Sequence, residues 1–137
     1  MDDHGSSAVR ALTPYLAVRD ARRAIAFYGQ AFGATQELLI EEPDGRIGHA
    51  TLRIGPAQLF LADEHPEFEH VVGPETLGGP GVTLDLEVDD VDAAVERAVG
   101  AGCTLIRPPD HPESGVQAGK VRDPFGHIWL ITRVIEG

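Results

Sequence analysis

Residues 11–33 read ALTPYLAVRDARRAIAFYGQAFG, and the order of these side chains decides the fold. An apolar, strand-like segment at 11–18 runs into Asp20, a residue type that accepts hydrogen bonds from the free amides at a helix start. Ala24, Ile25, Tyr28, Ala31 and Phe32 then recur on one face at helical spacing. Gly33 supplies the left-handed residue that stops the helix. The pattern returns at 81–102. Strand 81–88 (GVTLDLEV) puts Val82, Leu84, Leu86 and Val88 on one face and Thr83, Asp85 and Glu87 on the other. Asp89 or Asp90 caps a second helix with the stripe Val91, Ala94, Val95, Ala98 and Val99, which Gly100 and Gly102 end. One constant offset carries Thr13 onto Thr83, Leu16 onto Leu86, Val18 onto Val88, Asp20 onto Asp90, Ala24 onto Ala94 and Ile25 onto Val95. Past the helices the offset shortens by one and sets Leu61 on Leu130.

Strands are predicted at 35–42, 46–54 and 57–62, joined by Pro43-Asp44-Gly45 and Gly55-Pro56 turns. Three more, near 103–107, 116–122 and 127–134, close the second half. The class is α+β, with two βαβββ modules; a solenoid needs three or more copies. Residues 1–9 read as a loose tail, 10–63 as the first module, 64–80 as a Pro-, Gly- and acid-rich linker placed to act as a lid, and 81–137 as the second module. Alternation assigns Leu12, Leu16 and Val18 to the core, and likewise Ala50, Leu52 and Ile54. Thr13, Tyr15, Ala17, His49, Thr51 and Arg53 point the other way.

The chain has 137 residues, 42% of them hydrophobic, enough for one stable core without cross-links. Eleven Lys+Arg against 22 Asp+Glu give a net charge of −11, which excludes nucleic acid and favours a cationic ligand at long range. A single cysteine, Cys103, closes no internal disulfide and reads as a small buried residue. No apolar run is long enough for a membrane span, and the start MDDHGSSAV lacks the basic and apolar regions of a signal peptide, so the expected location is cytoplasmic. No G-x-S-x-G, Walker or Rossmann motif occurs.

The V-x-D-x-x-x-A-I-x-F-Y entry at 18–28, with PDGRIGHATLRIG, LADEHPE, PETLGG and RDPFGHIW, resembles the vicinal oxygen chelate superfamily, in its PhnB-like or glyoxalase/bleomycin-resistance branch. The resemblance covers about residues 11–134. It implies modules that curl into half-cups with helices on the convex side, enclosing a ligand cavity within one chain or across a homodimer. It also implies that metal-dependent members take one His or Glu from each of four strands. Those four positions fall on Thr13, Leu61, Thr83 and Leu130, two hydroxyls and two leucines, so no metal cofactor is predicted. The alternative is a divalent metal held by His49 and Asp85, with Tyr15 and Glu87 nearby; the plainer reading of His49 is a pocket-lining hydrogen-bonding residue.

The favoured function is a metal-free cavity that binds a small organic, cationic ligand, as in drug or antibiotic sequestration. Its expected lining is Thr13, Tyr15, His49, Thr51, Arg53, Leu59, Leu61, Thr83, Asp85, Glu87 and Leu130. Asp85 and Glu87 would pair with the cation, because buried carboxylates need a partner. Tyr15 would stack and donate a hydrogen bond. The alternative is a metal-dependent lyase, isomerase or extradiol-type dioxygenase. A third is an interaction protein with a filled interior. His127 reads as a turn residue first and a pocket residue second. His65, His70 and His111 read as loop histidines, and Trp129 and Phe60 as core.

Overall fold

In the computed structural model, which describes residues 7–68, 71–110 and 115–134, the repeat becomes two modules of one topology. The first runs β1 (Tyr15–Val18), α1 (Ala21–Phe32), β2 (Thr35–Glu41), β3 (Ile47–Ile54) and β4 (Ala57–Asp63). A short helix, α2 (Pro74–Leu77), lies in the connecting segment, where the sequence predicts no element. The second module runs β5 (Thr83–Glu87), α3 (Val91–Ala101), β6 (Thr104–Arg107), β7 (Val116–Arg122) and β8 (Ile128–Val134). The strand orders are β1-β4-β3-β2 and β5-β8-β7-β6. In each sheet the first strand pairs parallel with the last, and the other pairs are antiparallel.

The helix signals work as read. Asp20 Oδ1 accepts from Arg23 N at 3.1 Å and Gly33 closes α1 at φ 73°. Asp90, not Asp89, caps α3, accepting from Ala93 N at 3.0 Å. The buried face of α1 also includes Phe27, whose ring meets Phe125 of the other module. Ile25 is only partly buried.

Strand 11–18 is shorter than expected. Pro14 has no N–H, so the ladder opens where Phe60 N donates to Pro14 O, and β1 starts at Tyr15. Leu12, expected in the core, is 96% exposed. Val82 is exposed for a related reason: pairing with β8 begins only at Thr83. The offset between modules does not shorten in the ladders. Leu16 pairs with Leu61 and Leu86 with Ile131, so Leu61 corresponds to Ile131 and Phe60 to Leu130.

Helices α1 and α3 pack on each other, and each also packs on its own sheet. Arg97 of α3 donates from Nε to Gln30 O at the end of α1, 2.7 Å away. Buried Asp123, in the turn before β8, accepts from Tyr28 Oη of α1 at 2.6 Å and from Trp129 Nε1 at 2.8 Å. One core therefore spans both modules. The helices occupy the space between the sheets, and the other face of each sheet is left open. The half-cups are not closed within one chain: Tyr15, Leu38 and Ile40 on the first sheet and Asp85 and Glu87 on the second remain exposed.

Candidate functional site

The open face of the first sheet carries a polar chain on an apolar floor. Tyr15 on edge strand β1 sits opposite Phe60, which sits opposite Thr51. Tyr15 Oη lies 2.9 Å from His49 Nδ1, and His49 Nε2 lies 2.8 Å from Thr51 Oγ1. With the phenol donating to Nδ1, Nε2 carries the ring proton and donates to Thr51. Burial raises the Tyr15 phenol above its ordinary range, which keeps it protonated as a donor. The rings of Tyr15 and His49 meet Phe60 edge-on. Phe60, expected in the core, belongs to this face instead.

The lower end of the same face is roofed by the segment after β4. Here a cavity of about 700 Å³ opens between Tyr15, Ala17, Gly48 and Ala62 on the sheet side and Phe68, Val71, Pro74 and Leu77 on the other. The roof is tied down. Glu64 Oε2 accepts from Gly73 N at 2.6 Å, His65 N donates to Val71 O, and Arg46 forks onto Asp44 and Glu67. His65 and Glu42 line the cavity, and so does His127, whose Nε2 meets Ala17 O at 3.2 Å. His127 thus serves both turn and pocket. His70 and His111 lie outside the described residues.

The open face of the second sheet holds Thr83, Asp85 and Glu87 of β5 with Leu130 and Thr132 of β8. Thr132 Oγ1 donates to Asp85 Oδ1 at 2.7 Å. Asp85 and Glu87 are exposed, so in one chain water solvates them and they do not require a buried cation. Lys120 faces Leu130 from the far side, and Arg122 faces Ile128, so basic groups share this face. The alternation of 116–122 held that signal, and sequence reasoning passed over it.

The expected site residues are therefore divided. Tyr15, His49, Thr51 and Arg53 share the first open face, where Arg53 Nε is engaged with Glu37 Oε2 at 2.9 Å. Thr83, Asp85, Glu87 and Leu130 share the second. Thr13, Arg53, Leu59, Thr83 and Asp85 border a separate groove of about 590 Å³ between the β3–β4 end and β5. Leu59 and Leu61 were expected toward the ligand but are core residues, Leu61 being fully buried. Their ladder partners Leu52 and Ala50 turn toward the helices, and directly paired residues share a face.

With the ladders' register, the four positions expected from the resemblance to be chelating corners read Thr13, Phe60, Thr83 and Leu130. No imidazole or carboxylate is among them, and this donor set does not fit the superfamily's divalent ion. His49 and Asp85 sit on different sheets, and both ring nitrogens of His49 already have partners. Among the described residues no three His, Cys, Asp or Glu side chains gather as a metal site. Asp63 accepts from Ala21 N and Ile47 N with its two oxygens. Cys103 is buried, and burial together with nearby Asp123 pushes its thiol up to about 12, the state of an inert packing residue.

Comparison with known proteins agrees with this architecture. The chain is 42% identical over 123 residues to the uncharacterized protein Rv0887c of Mycobacterium tuberculosis, covering 88% of this chain and 72% of that one. The crystal structure of TioX from Micromonospora sp. ML1 superposes with a TM-score of 0.71 at 25% identity, covering 93% of this chain and 100% of that one. Protein PA1353 from Pseudomonas aeruginosa gives 0.73 at 26%, with the same coverage. The family model of the Glyoxalase/Bleomycin resistance protein/Dioxygenase superfamily matches residues 9–131, nearly the whole two-module fold, and the chain belongs to that superfamily.

Proposed function

We propose that this protein binds a small organic molecule without a metal, in the manner of a drug- or antibiotic-sequestering member of the PhnB-like or bleomycin-resistance branch. The observation that carries the reading is the roofed cavity of about 700 Å³ that runs onto the Tyr15–His49 face. Its walls are mainly apolar with a few convergent polar groups, the composition of small-molecule sites. Net charge of −11 draws cations toward it. A second copy of the chain, laid on the open sheet faces, completes each half-cup and brings Asp85 and Glu87 toward Tyr15. A buried lone cysteine suits the cytoplasm. The metal-dependent lyase, isomerase or dioxygenase alternative finds no support in the corner side chains.

The test is a thermal-shift series with apolar amines and alcohols on the native protein and on Ala17→Trp, which fills the cavity. Ligands that bind the folded state raise Tm. The expected result is a concentration-dependent rise in the native protein and none in the variant. A rise equal in both would show that ligands bind elsewhere and would sink the reading.

A further inference from the structure

We infer that Tyr15 reads an oxygen function on the ligand of the roofed cavity, and that the His49–Thr51 pair behind it lets one hydroxyl either accept from an alcohol or donate to a carbonyl. This rests on the reading of that cavity as a ligand site and names the class it takes: an apolar molecule carrying a hydroxyl or carbonyl group.

Tyr15 is 54% exposed and lines the cavity together with Gly48. Its Oη lies 2.9 Å from His49 Nδ1 and 3.4 Å from Gly48 O. Across the imidazole, His49 Nε2 lies 2.8 Å from Oγ1 of buried Thr51. A neutral imidazole donates from one nitrogen and accepts at the other, whereas a hydroxyl does both. The protons of these groups therefore fit in two senses. In the first, Tyr15 donates to Nδ1 and Nε2 donates to Thr51, so the phenol oxygen turns only lone pairs outward. In the second, Thr51 donates to Nε2 and Nδ1 donates to Tyr15, which frees the phenol proton. Its acceptor among the described residues is then Gly48 O at 3.4 Å, the weak end of hydrogen-bonding distance. Passing between the two senses gives one ring proton to water and takes one from water at the other nitrogen, and no group ends charged.

The ligand class follows from those two senses. A ligand hydroxyl donates to the phenol oxygen in the first. A ligand carbonyl takes the phenol proton in the second, in place of the long bond to Gly48 O. A carboxylate is disfavoured, because Glu42 lines the cavity and no Lys or Arg does. The histidines of the lining do not offer the same handle: His65 is buried, and His127 Nε2 meets Ala17 O at 3.2 Å. Phe60 meets the Tyr15 and His49 rings edge-on, which fixes the direction of the hydroxyl. Ala17, Ala62, Phe68, Leu77 and Val82 supply walls for the apolar frame.

The experiment is calorimetric titration of the full chain with indane, 1-indanol and 1-indanone, probes of nearly one shape. It is paired with NMR of the imidazole nitrogens at about pH 8, where free imidazole is neutral. The alcohol and the ketone should bind within about threefold of each other, and each about fivefold more tightly than indane, the scale of one neutral hydrogen bond. Tyr15→Phe keeps the ring against Phe60 and removes the hydroxyl. It should bring both oxygenated probes down to the affinity of indane and leave indane unchanged. With indanone bound, the His49 ring proton should sit on Nδ1; with indanol bound, on Nε2. His49→Gln identifies the His49 signals by their loss. An unchanged preference for the oxygenated probes in Tyr15→Phe, an equal loss for indane, or the same His49 tautomer with both ligands overturns the inference. If Ala17→Trp removes indane binding while Tyr15→Phe changes nothing, only the oxygen assignment has failed; if none of the three compounds binds, the cavity reading has failed with it.

Discussion

Asp123 shows how much one side chain can hold. It is 3% exposed and accepts four hydrogen bonds, from Tyr28 Oη, Trp129 Nε1, Phe125 N and His127 N. Replacing it with Ala leaves all four donors buried without an acceptor, and urea unfolding should show a loss of about 3 kcal/mol or more. Tyr28→Phe removes one donor and leaves three, so the loss should be nearer 1 kcal/mol. Two buried acids set the alkaline limit. Burial, with Asp123 adding to it, raises the Tyr28 phenol well above its ordinary 10.0 and the Cys103 thiol from 9.0 to about 12. A group whose folded-state pKa is raised contributes stability below its unfolded pKa and loses it as pH rises toward the folded one. The urea midpoint should therefore be unaffected by these groups up to about pH 9 and fall above it. A midpoint flat to pH 11 in the native protein would count against this. The D-P-F-G-H turn was readable from Pro124 and Gly126. That its carboxylate joins α1 to β8 was not, because Tyr28 lies far away in sequence.

Elements were legible where their signals are local. Asp20 and Asp90 each satisfy a free amide at a helix start, so Asp20→Ala and Asp90→Ala should each cost about 1 kcal/mol in thermal unfolding. Strand faces followed from alternation, and β3 turned Ala50 and Leu52 inward and His49 outward as expected. The misreadings came where one residue of register mattered. Leu59, Leu61 and Phe60 were each placed on the wrong face, since an offset of one inverts a strand without changing its local chemistry. The roof segment had no periodicity to read. Its placement depends on close approach: a Cβ at Gly73 would meet the carbonyl of Ala17. Gly73→Ala should therefore lower stability by about 1–3 kcal/mol and weaken any ligand of the roofed cavity, both measurable by thermal shift. Wild-type stability in that variant would mean that the roof gives way easily.

At the scale of the molecule, the helices sit between two sheets and leave the other face of each open, the first with exposed apolar residues and the second largely polar. A second copy is the occupant proposed above, and it can be tested without a ligand. Sedimentation equilibrium should give twice 14.7 kDa for the native protein and 14.7 kDa for Ile40→Glu, which puts a charge on the open face. A native monomer would leave the half-cups open and remove the dimeric site. Arg97 donates to two carbonyls at the end of α1, so Arg97→Ala should loosen the contact between modules and cost about 1 kcal/mol. The sequence by itself determined the repeated βαβββ order, the caps and most strand faces, because propensity, capping and alternation act between near neighbours. Only the tertiary structure decided that Phe60 rather than Leu61 faces outward and that the two sheets do not close on each other in one chain. Those outcomes depend on ladder register and on helix packing between residues far apart in the chain, where local preference is indifferent and the shared core makes the choice.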